Sequence, residues 1–416
     1  MTHFNPNESP LLSLTRKYVP EGIRQTLSSD PIIPAIAAKA KRIVPENPEF
    51  IRSDQGQIIG VYPDKEIYYG PSSGFEELRE LVGQFWTFAY NLKGKPGIPS
   101  QGLDHKNVAI VSGATEGLSI VMHLVASGQN VGLLPLYWSN YKGIIRNAGG
   151  NPVVIKVFNE DYHVDFNQIK RTILEKNITS ILINFPNNPS GDILTEEEFT
   201  KLAELAEETN LIIISDEVYN FIRYKGTPQS MLGFAPGRTV VVSSASKEYL
   251  IPGARVGYVI SADKTFTNDW MPKVIRSFSS SPNVLGQQLL ISLLKGEVED
   301  LKNGRHPQLI TEIKKELKAR CELMLAVLRE KGFSLAGRDT DFPSGAISVL
   351  VRLPEDIKIG DTEFINKAIE LKKFSAVPGS VFGAPRCIRF GYAGMTQETI
   401  KRFAQNLQDV LDHLRS

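Results

Sequence analysis

The sequence predicts an α/β protein: a large three-layer domain, in which helices cover both faces of a mostly parallel seven-stranded sheet, followed by a smaller α/β domain. The first observation behind this prediction is that the middle of the chain alternates short apolar runs with amphipathic stretches, which is typical of a parallel sheet covered by helices. The second is that seven such runs have the length of strands. The third is a change of pattern near residue 298, where a long charged helix leads into separate strands.

The seven apolar runs predict the strands of the large sheet. The clearest helix between them covers residues 195–210, where Thr195 and Glu198 form a capping box and an apolar face follows. In chain order the predicted strands are 107–113, 130–135, 151–157, 178–185, 210–217, 238–244 and 255–261.

We expect three regions along the chain. Residues 1–65 form an N-terminal segment that packs on the small domain, residues 66–300 form the large domain, and residues 301–416 form the small domain. The pattern from 298 to about 330 predicts one long charged helix. After it, the small domain is predicted to contain strands within 345–354 and 387–394 and a closing helix over 396–414.

Composition excludes several classes of function. The 416 residues carry 47 Lys and Arg against 46 Asp and Glu, so the net charge of +1 offers no field that would recruit nucleic acid. Cys321 and Cys387 are too few for a disulfide framework, and the scattered histidines show no metal-ligand spacing. No signal peptide and no membrane span are recognisable. These observations predict a soluble, cytoplasmic protein that binds no nucleic acid, no membrane and no metal.

The stretch 240–260 holds the main candidate for chemistry, Lys247. A lysine that follows a buried strand is partly desolvated, which lowers the pKa of its amine and favours use as a nucleophile. Such a lysine forms Schiff bases, most often with pyridoxal phosphate. Ser244, Ser246 and Arg255 surround it in sequence, and hydroxyls with a guanidinium are groups that bind phosphate. Without this company, Lys247 would be interpreted as a solvated lysine in a turn.

Other strand ends offer groups that suit the same ligand. A helix that opens at Ala114 and Thr115 presents free N–H groups to an anion. Asp216 ends a strand, where it either caps a helix or pairs with a pyridinium nitrogen, and Tyr219 follows within reach of a ring hydroxyl. Asn188, next to Pro189, offers an amide donor to a ring oxygen or a substrate carboxylate.

Five segments, taken in order and spacing, carry a resemblance. The segments "YYGPSSGFEELRELV", "SGATEG", "NFPNNPSG", "SDEVY" and "SSASKEYLIPGARVGY" resemble fold-type I pyridoxal-phosphate aminotransferases of class I/II, the aspartate aminotransferase family, over residues 50–395. The resemblance implies a transaminase with pyridoxal 5′-phosphate as cofactor, small amino acids and 2-oxo acids as substrates, and a homodimer with shared active sites.

The resemblance also implies a role for individual residues. Lys247 would be the Schiff-base lysine and proton shuttle, Asp216 the partner of the pyridine nitrogen, and Tyr219 and Asn188 the ligands of the ring oxygen. Arg389 would clamp the substrate carboxylate, with Arg386 as its rival, and Gly56 would approach the substrate. The implied phosphate ligands are Ser244, Ser246, Arg255, Ala114, Thr115 and, from the neighbouring subunit, Tyr69.

Two departures from the family pattern leave alternatives open. Leu136 stands where the family has proline, so either Tyr137 or Trp138 stacks on the cofactor ring, and the spacing to Gly149-Gly150 favours Trp138. The segment "GQIIGVYP" also differs from the usual turn near Gly56. Arg276 aligns with a segment that reads a distal carboxylate in dicarboxylate-specific members, so aspartate and glutamate are candidate donors beside aromatic and aliphatic amino acids.

The expected reaction is ping-pong transfer of an amino group from an L-amino acid to a 2-oxo acid. A lyase or synthase on the same fold, such as a C–S lyase or an aminocyclopropane-carboxylate synthase, is the alternative. A cofactor-sensing regulator would need a basic DNA-reading domain, and a nicotinamide dehydrogenase would need a G-x-G-x-x-G turn. Neither feature is present in the sequence.

Overall fold

A computed structural model describes residues 8–28, 68–156 and 164–416 of the chain. Its large sheet has seven strands in the order β1-β7-β6-β5-β4-β2-β3. Strand β7 is antiparallel to both of its neighbours, and the other pairs are parallel. The predicted mostly parallel seven-stranded sheet is therefore confirmed. The strands are β1 (Val108–Val111), β2 (Asn130–Leu133), β3 (Asn151–Val154), β4 (Ile178–Asn184), β5 (Ile212–Asp216), β6 (Thr239–Ser244) and β7 (Gly257–Ile260).

A second, antiparallel sheet of four short strands lies in the C-terminal part of the chain, in the order β10-β11-β9-β8. Two of its strands lie within predicted segments, and the two-residue strands β8 and β10 are too short for a sequence pattern to reveal. The strands are β8 (Ser334–Leu335), β9 (Ser348–Arg352), β10 (Val377–Pro378) and β11 (Cys387–Gly391).

Helices cover both faces of the large sheet and pack on the small one. The capping box of the helix predicted near 195–210 is present, with Glu198 N donating to Thr195 Oγ1 at 3.2 Å. In chain order the α-helices of the described residues are α1 (Pro10–Tyr18), α2 (Glu21–Ser28), α3 (Glu76–Ala89), α4 (Ala114–Val125), α5 (Asn140–Asn147), α6 (Phe166–Glu175), α7 (Glu196–Glu208), α8 (Ala245–Glu248), α9 (Met271–Ser279), α10 (Val284–Lys302), α11 (Gln308–Glu330), α12 (Asp361–Glu370) and α13 (Gln397–Arg415).

Burial on both faces explains why the central strands read as continuous apolar runs. Successive side chains of a strand point to opposite faces, and on β6 both faces are core. Val240 and Val242 join the cluster that contains α4 and α9, whereas Val241 joins the cluster that contains α3 and α10. Polar and apolar residues therefore do not alternate along β6, and the sequence reveals this strand by its continuous apolar run instead.

The N-terminal helices correct one expectation. Leu11, Leu12 and Leu14 of α1 are buried in the core cluster of the large domain, beside α4 and α9. Lys273 of α9 donates to the carbonyl of Leu27 at 2.6 Å. The prediction that this segment packs on the small domain is wrong for residues 8–28, because their apolar face completes the large-domain core; residues 29–65 lie outside the described residues.

The prediction of a single long helix from 298 to about 330 is also wrong. The structure has two helices, α10 and α11, separated by residues 303–307. Gly304 has a φ of +69°, and Pro307 stands immediately before α11. A left-handed glycine ends one helix, and proline opens the next, so the charged pattern continues while the backbone turns.

The topology brings three strand ends together. Strands β4, β5 and β6 are neighbours and parallel, so their carboxyl ends open on the same edge of the sheet, where ligands bind in α/β proteins. Strand β11 of the small sheet faces this edge. Within the described residues, no helix has the length and apolar character needed to cross a membrane.

Candidate active site

A cavity of about 440 Å³ lies between the carboxyl edge of the large sheet and the small sheet. Most residues that the sequence singled out line it, although they are spread over nearly 280 positions of the chain. Those lining residues are Ala114, Thr115, Trp138, Asn188, Asp216, Tyr219, Ser244, Ser246, Lys247, Arg255 and Arg389.

Lys247 lies at the centre of the cavity, on the four-residue helix α8 directly after β6. Its side chain is half-buried. Burial lowers the pKa of the amine, and the positive charges of Arg389 and Arg255 lower it further, against the opposing carboxylate of Asp216. A lysine in this setting has a larger fraction of free amine at neutral pH than an exposed one.

Asp216 ends β5 and is 3% exposed. Tyr141 donates a hydrogen bond to Asp216 Oδ2 at 2.6 Å, and the N–H of Val218 donates to Oδ1 at 3.3 Å. Burial raises the pKa of this carboxyl to about 6, against the effect of these donors and of Lys247. A cation placed beside Asp216 would replace the lost hydration and favour the ionised form.

The small sheet contributes Arg389 from β11. Its Nη1 donates to Asn188 Oδ1 at 3.0 Å, and its guanidinium lies 5.2 Å from the ring centre of Phe382. Its Nε is buried and has no hydrogen-bond partner among the residues that the structure describes. Because a buried guanidinium donor needs an acceptor, this arrangement suits a carboxylate that enters the cavity. The rival Arg386 donates to the carbonyls of residues 357 and 359 instead and does not line the cavity.

The part of the cavity around Arg255 offers hydrogen-bond donors that suit an anion. Arg255 has a φ of +47°, and its guanidinium donates to the carbonyls of Pro252 and Ser112, both at 3.1 Å. A Cβ on Gly113 would lie 2.4 Å from Arg255 Nη2, so only glycine leaves room for this approach. The N-terminus of α4 begins directly after Gly113, with Thr115 in its first turn. Guanidinium and helix N–H groups therefore converge at one point.

Two aromatic residues complete the lining that the sequence predicted. Tyr219 is 6% exposed, and burial together with the charge of Asp216 raises the pKa of its hydroxyl, against the effect of Arg389. Trp138 lies in the cavity, edge-on to Tyr141 at 5.4 Å between ring centres. Tyr137 points elsewhere, with Lys142 Nζ 4.9 Å from its ring centre. Of the two candidates for ring stacking, the structure brings Trp138 to the cavity.

Two described site residues that the sequence predicted do not line this cavity. Tyr69 is 71% exposed on the surface. Arg276 lies in the last turn of α9 and does not line the cavity. Their proposed contacts with a site that a second subunit shares stay a prediction. Gly56 lies outside the described residues.

Sequence reasoning missed two polar residues that organise the cavity. Tyr141 holds Asp216, and Asn184 links neighbouring strand ends: its Nδ2 donates to the carbonyl of Asp216 at 2.9 Å, and its Oδ1 accepts from the N–H of Asn188 at 2.9 Å. Asn184 stands at the end of β4, which is a usable signal. Tyr141 lies in the first turn of α5 and gives none, because its approach to Asp216 depends on how α5 packs.

The fold is α/β, and its cavity is lined by one lysine and two arginines among the described residues. A family model described as "Aminotransferase class I and II" matches residues 64–407. The chain therefore belongs to the class I and II aminotransferases and is a transaminase; its resemblance to them is confirmed.

Relatives cover most of the chain. A probable aspartate/prephenate aminotransferase of Aquifex aeolicus is 28% identical over 381 residues, which is 88% of this chain and 89% of the relative. Aspartate aminotransferase of Bacillus subtilis is 28% identical over 357 residues, covering 81% and 84%. The aminotransferase names do not favour the lyase or synthase alternative.

Solved structures show the same fold. A tetra mutant of Thermus thermophilus aspartate aminotransferase superposes with a TM-score of 0.72 at 22% identity, covering 99% of this chain and 100% of that one. An aromatic aminotransferase from Pyrococcus horikoshii superposes with a TM-score of 0.69 at 24% identity, covering 83% and 88%. The predicted fold type I architecture is confirmed.

Proposed function

We propose that this aminotransferase binds pyridoxal 5′-phosphate in the 440 Å³ cavity and uses Lys247 to exchange amino groups between an L-amino acid and a 2-oxo acid, with ping-pong kinetics. The observation that carries the proposal is the set of charged groups that line one cavity. The guanidinium of Arg255, the buried carboxyl of Asp216, the amine of Lys247 and the guanidinium of Arg389 all belong to this lining.

These charges fit the cofactor group by group. The cradle of Arg255, Ser244, Ser246 and the first turn of α4 suits a phosphate dianion. Asp216, desolvated and raised in pKa, suits a protonated ring nitrogen. When bound, pyridoxal phosphate supplies an aldehyde carbon that accepts amines and a protonated ring that withdraws electrons from the substrate Cα.

Each residue of the chain then has a definite task. Asp216, fixed by Tyr141, holds the proton on the ring nitrogen. The hydroxyl of Tyr219 and the amide of Asn188 would donate to the ring oxygen, and Trp138 would cover one face of the ring. The amine of Lys247, with its lowered pKa, would take the proton from the substrate Cα as a general base and give it back as a general acid.

Arg389 holds the α-carboxylate of the substrate, with Asn188 orienting the guanidinium. Because Arg389 belongs to the small sheet and Lys247 to the large one, binding a carboxylate between them draws the two parts together. This places the Cα–H bond beside the amine and removes water from the cavity.

We propose an acidic amino acid, aspartate or glutamate, as donor. The lysine and arginines that line the cavity in the described residues are Lys247, Arg255 and Arg389, and each already has a task. A distal carboxylate therefore needs a further cation, for which we propose Arg276 of a second copy. The names of relatives, which include aspartate aminotransferases, support this choice.

A homodimer with shared sites belongs to this proposal. Large apolar side chains are exposed around the start of α10, where Ser72 donates to the carbonyl of Ser280 and Asn283 donates to that of Ala254. A set of this kind on one region favours association. The exposed residues are Tyr69 at 71%, Leu250 at 41%, Phe278 at 45%, Leu285 at 54% and Leu289 at 41%. The predicted cytoplasmic location stays a prediction.

The test is a spectral titration of the purified protein with pyridoxal phosphate, followed by aspartate, glutamate, an aromatic and an aliphatic amino acid in turn. We expect a visible band on cofactor binding that converts to the pyridoxamine phosphate band most readily with the acidic donors. Sedimentation should give twice the mass of one chain. Lack of any band would overturn the cofactor proposal, whereas conversion by aromatic donors alone would overturn the acidic substrate.

A further inference from the structure

We propose that Glu248 is a positioning residue for Lys247 that works as a protonated carboxylic acid, holding the helix of Lys247 against the strand end of Asp216. The inference rests on the proposed role of Lys247. Glu248 follows Lys247 directly on α8, and Glu217 follows Asp216 directly after β5. Both glutamates are buried, at 1% and 2% exposure, and neither lines the cavity.

Glu248 ties α8 to two strands. Its Oε1 lies 3.0 Å from Ser243 Oγ on β6, and its Oε2 accepts from Tyr258 Oη on β7 at 2.9 Å. With only four residues, α8 has little hydrogen bonding of its own to fix it. The orientation of this short helix, and with it the amine of Lys247, therefore depends on the side chain of Glu248.

The carboxyl proton of Glu248 determines which hydrogen bonds Ser243 can make. Its Oγ lies 3.0 Å from Glu248 Oε1 and 3.3 Å from the carbonyl oxygen of Glu217. A hydroxyl has one hydrogen, so it cannot donate to a carboxylate and to a carbonyl at once. If Glu248 is protonated, its own O–H donates to Ser243, and Ser243 donates to Glu217. The chain Glu248–Ser243–Glu217 is then complete, and it joins the segment of Lys247 to that of Asp216.

The surrounding charges favour the protonated form. Facing Glu248 are the second carboxyl, Glu217, and the hydroxyls of Tyr258, Tyr249 and Tyr90. Burial, together with the charge of Glu217, raises the pKa of Glu248 to about 8, against the effect of the donors Tyr258 and Ser243.

The cation in this region lies beside the other carboxyl. Arg223 interacts with Glu217 and Tyr90. Glu217 accepts from Ser215, Ser230, Asn220 and the N–H of Met231, and burial raises its pKa to about 7. Glu217 therefore takes the donors and the cation that an ionised carboxylate needs, and Glu248 is left with two hydroxyls.

Glu248→Gln tests the inference because glutamine resembles the protonated acid at every pH. Its NH₂ can donate to Ser243, and its carbonyl can accept from Tyr258. Between pH 7.5 and 9.5 we expect kcat/KM of wild type to fall. The fall should be about three- to tenfold larger than the fall of kcat/KM in Glu248→Gln, because only wild type ionises at this position. At pH 7, Glu248→Gln should retain most activity, whereas Glu248→Ala should lose about tenfold or more.

A second readout uses the cofactor-free protein. The pKa of Glu248 is higher in the folded chain than in the unfolded one, so the folded state binds a proton that the unfolded state has released. Its contribution to stability is therefore fully present below about pH 4.5 and is lost as pH rises to about 8. Urea unfolding of wild type should show this decline, and Glu248→Gln should show less of it.

Glu297→Gln is the matched control. Glu297, on α10, is 4% exposed with a raised pKa, and it accepts from the N–H of Leu309 rather than from Ser243 or Tyr258. This variant should change the pH dependence of unfolding and leave the alkaline limb of kcat/KM unchanged.

Should Glu248→Gln not fold, Tyr258→Phe should move the alkaline loss of activity to higher pH, because the ionised form of Glu248 loses a donor.

Two results would overturn the inference. One is an alkaline limb that is the same in wild type and in Glu248→Gln, or unmoved in Tyr258→Phe. The other is a folded Glu248→Gln without activity at pH 7, which would mean that the carboxylate is required. A wild-type protein that transfers no amino group would instead refute the proposed function, and the unfolding data on cofactor-free protein would still report the proton on Glu248.

Discussion

The two arginines of the cavity are held in opposite ways. Arg255 is exposed, and contacts close in sequence fix its backbone: a turn at residues 252–254, a φ of +47° and a bond to the carbonyl of Pro252. Arg389 is half-buried, and its guanidinium donates to Asn188, 201 positions away in the chain. One is placed by a local turn, and the other by the packing of two sheets.

This difference matches the two tasks proposed for them. A cofactor anchor must hold its ligand through every turnover, which suits a rigid site on the large sheet. A substrate clamp must form and release, which suits a residue on the smaller sheet that faces the cavity across a gap. Among the described residues the Nε of Arg389 has no partner, whereas the guanidinium of Arg255 donates to two backbone carbonyls.

The largest effect should come from removing the amine between the two arginines. For Lys247→Ala we expect kcat/KM to fall by about 10³–10⁴, because no other described amine lines the cavity to move the proton. Both arginines remain, so calorimetry should still detect binding of a dicarboxylate. Lys142→Ala, a lysine outside the cavity beside Tyr137, should leave kcat/KM unchanged. Equal losses in the two variants would contradict the assignment.

Breaking the clamp should have the next largest effect. Arg389→Lys keeps the charge but loses the planar fork, and kcat/KM should fall about 100-fold, the value of one or two charged hydrogen bonds. The affinity for pyridoxal phosphate should change by less than about threefold, because Arg255 is untouched. Arg386→Lys, whose guanidinium binds backbone carbonyls outside the cavity, serves as control. If Arg386→Lys proved the more damaging variant, the clamp would be misassigned.

Asp216 should make the free energy of unfolding depend on pH. The pKa of Asp216 is about 6 in the folded chain against 3.8 as its ordinary value, so stability falls as pH rises from about 4 to about 6. The part of this decline that Asp216 contributes in cofactor-free protein should be about 2–3 kcal/mol. Urea unfolding of Asp216→Asn should show a decline that is smaller by this amount, because Glu217 and Glu248 keep their own raised pKa values, and bound pyridoxal phosphate should reduce the decline in wild type. An unchanged decline in Asp216→Asn would show that another group is responsible.

Breaking the anchor should have the smallest effect. Arg255→Met removes one charged partner of the phosphate and leaves the N-terminus of α4 and two serines, so the Kd for pyridoxal phosphate should rise about 10–30-fold. Excess cofactor should restore kcat, and KM for the amino acid should stay near that of wild type. A variant that stays inactive at saturating cofactor would mean that Arg255 also touches the substrate.

Local sequence determined much of this protein. Apolar runs predicted all seven strands of the large sheet; burial on both faces explains the runs of the central strands, whereas the edge strand β3 is partly exposed. The groups at strand ends, Asp216 and Lys247 among them, were predictable because parallel strands open on one edge. The turn that holds Arg255 was visible in Pro252 and Gly253, next to it in sequence.

Tertiary structure decided what sequence distance hides. Contacts between segments that share no sequence pattern decide three features of the structure. They decide which core α1 joins, where the charged helix breaks, and whether Tyr141 reaches Asp216. The same holds for the proton on Glu248, since its pKa follows from burial next to Glu217 and from two hydroxyls on other strands. Residue types and strand ends are properties of short segments, whereas hydrogen-bond partners and desolvation exist only once the segments have packed.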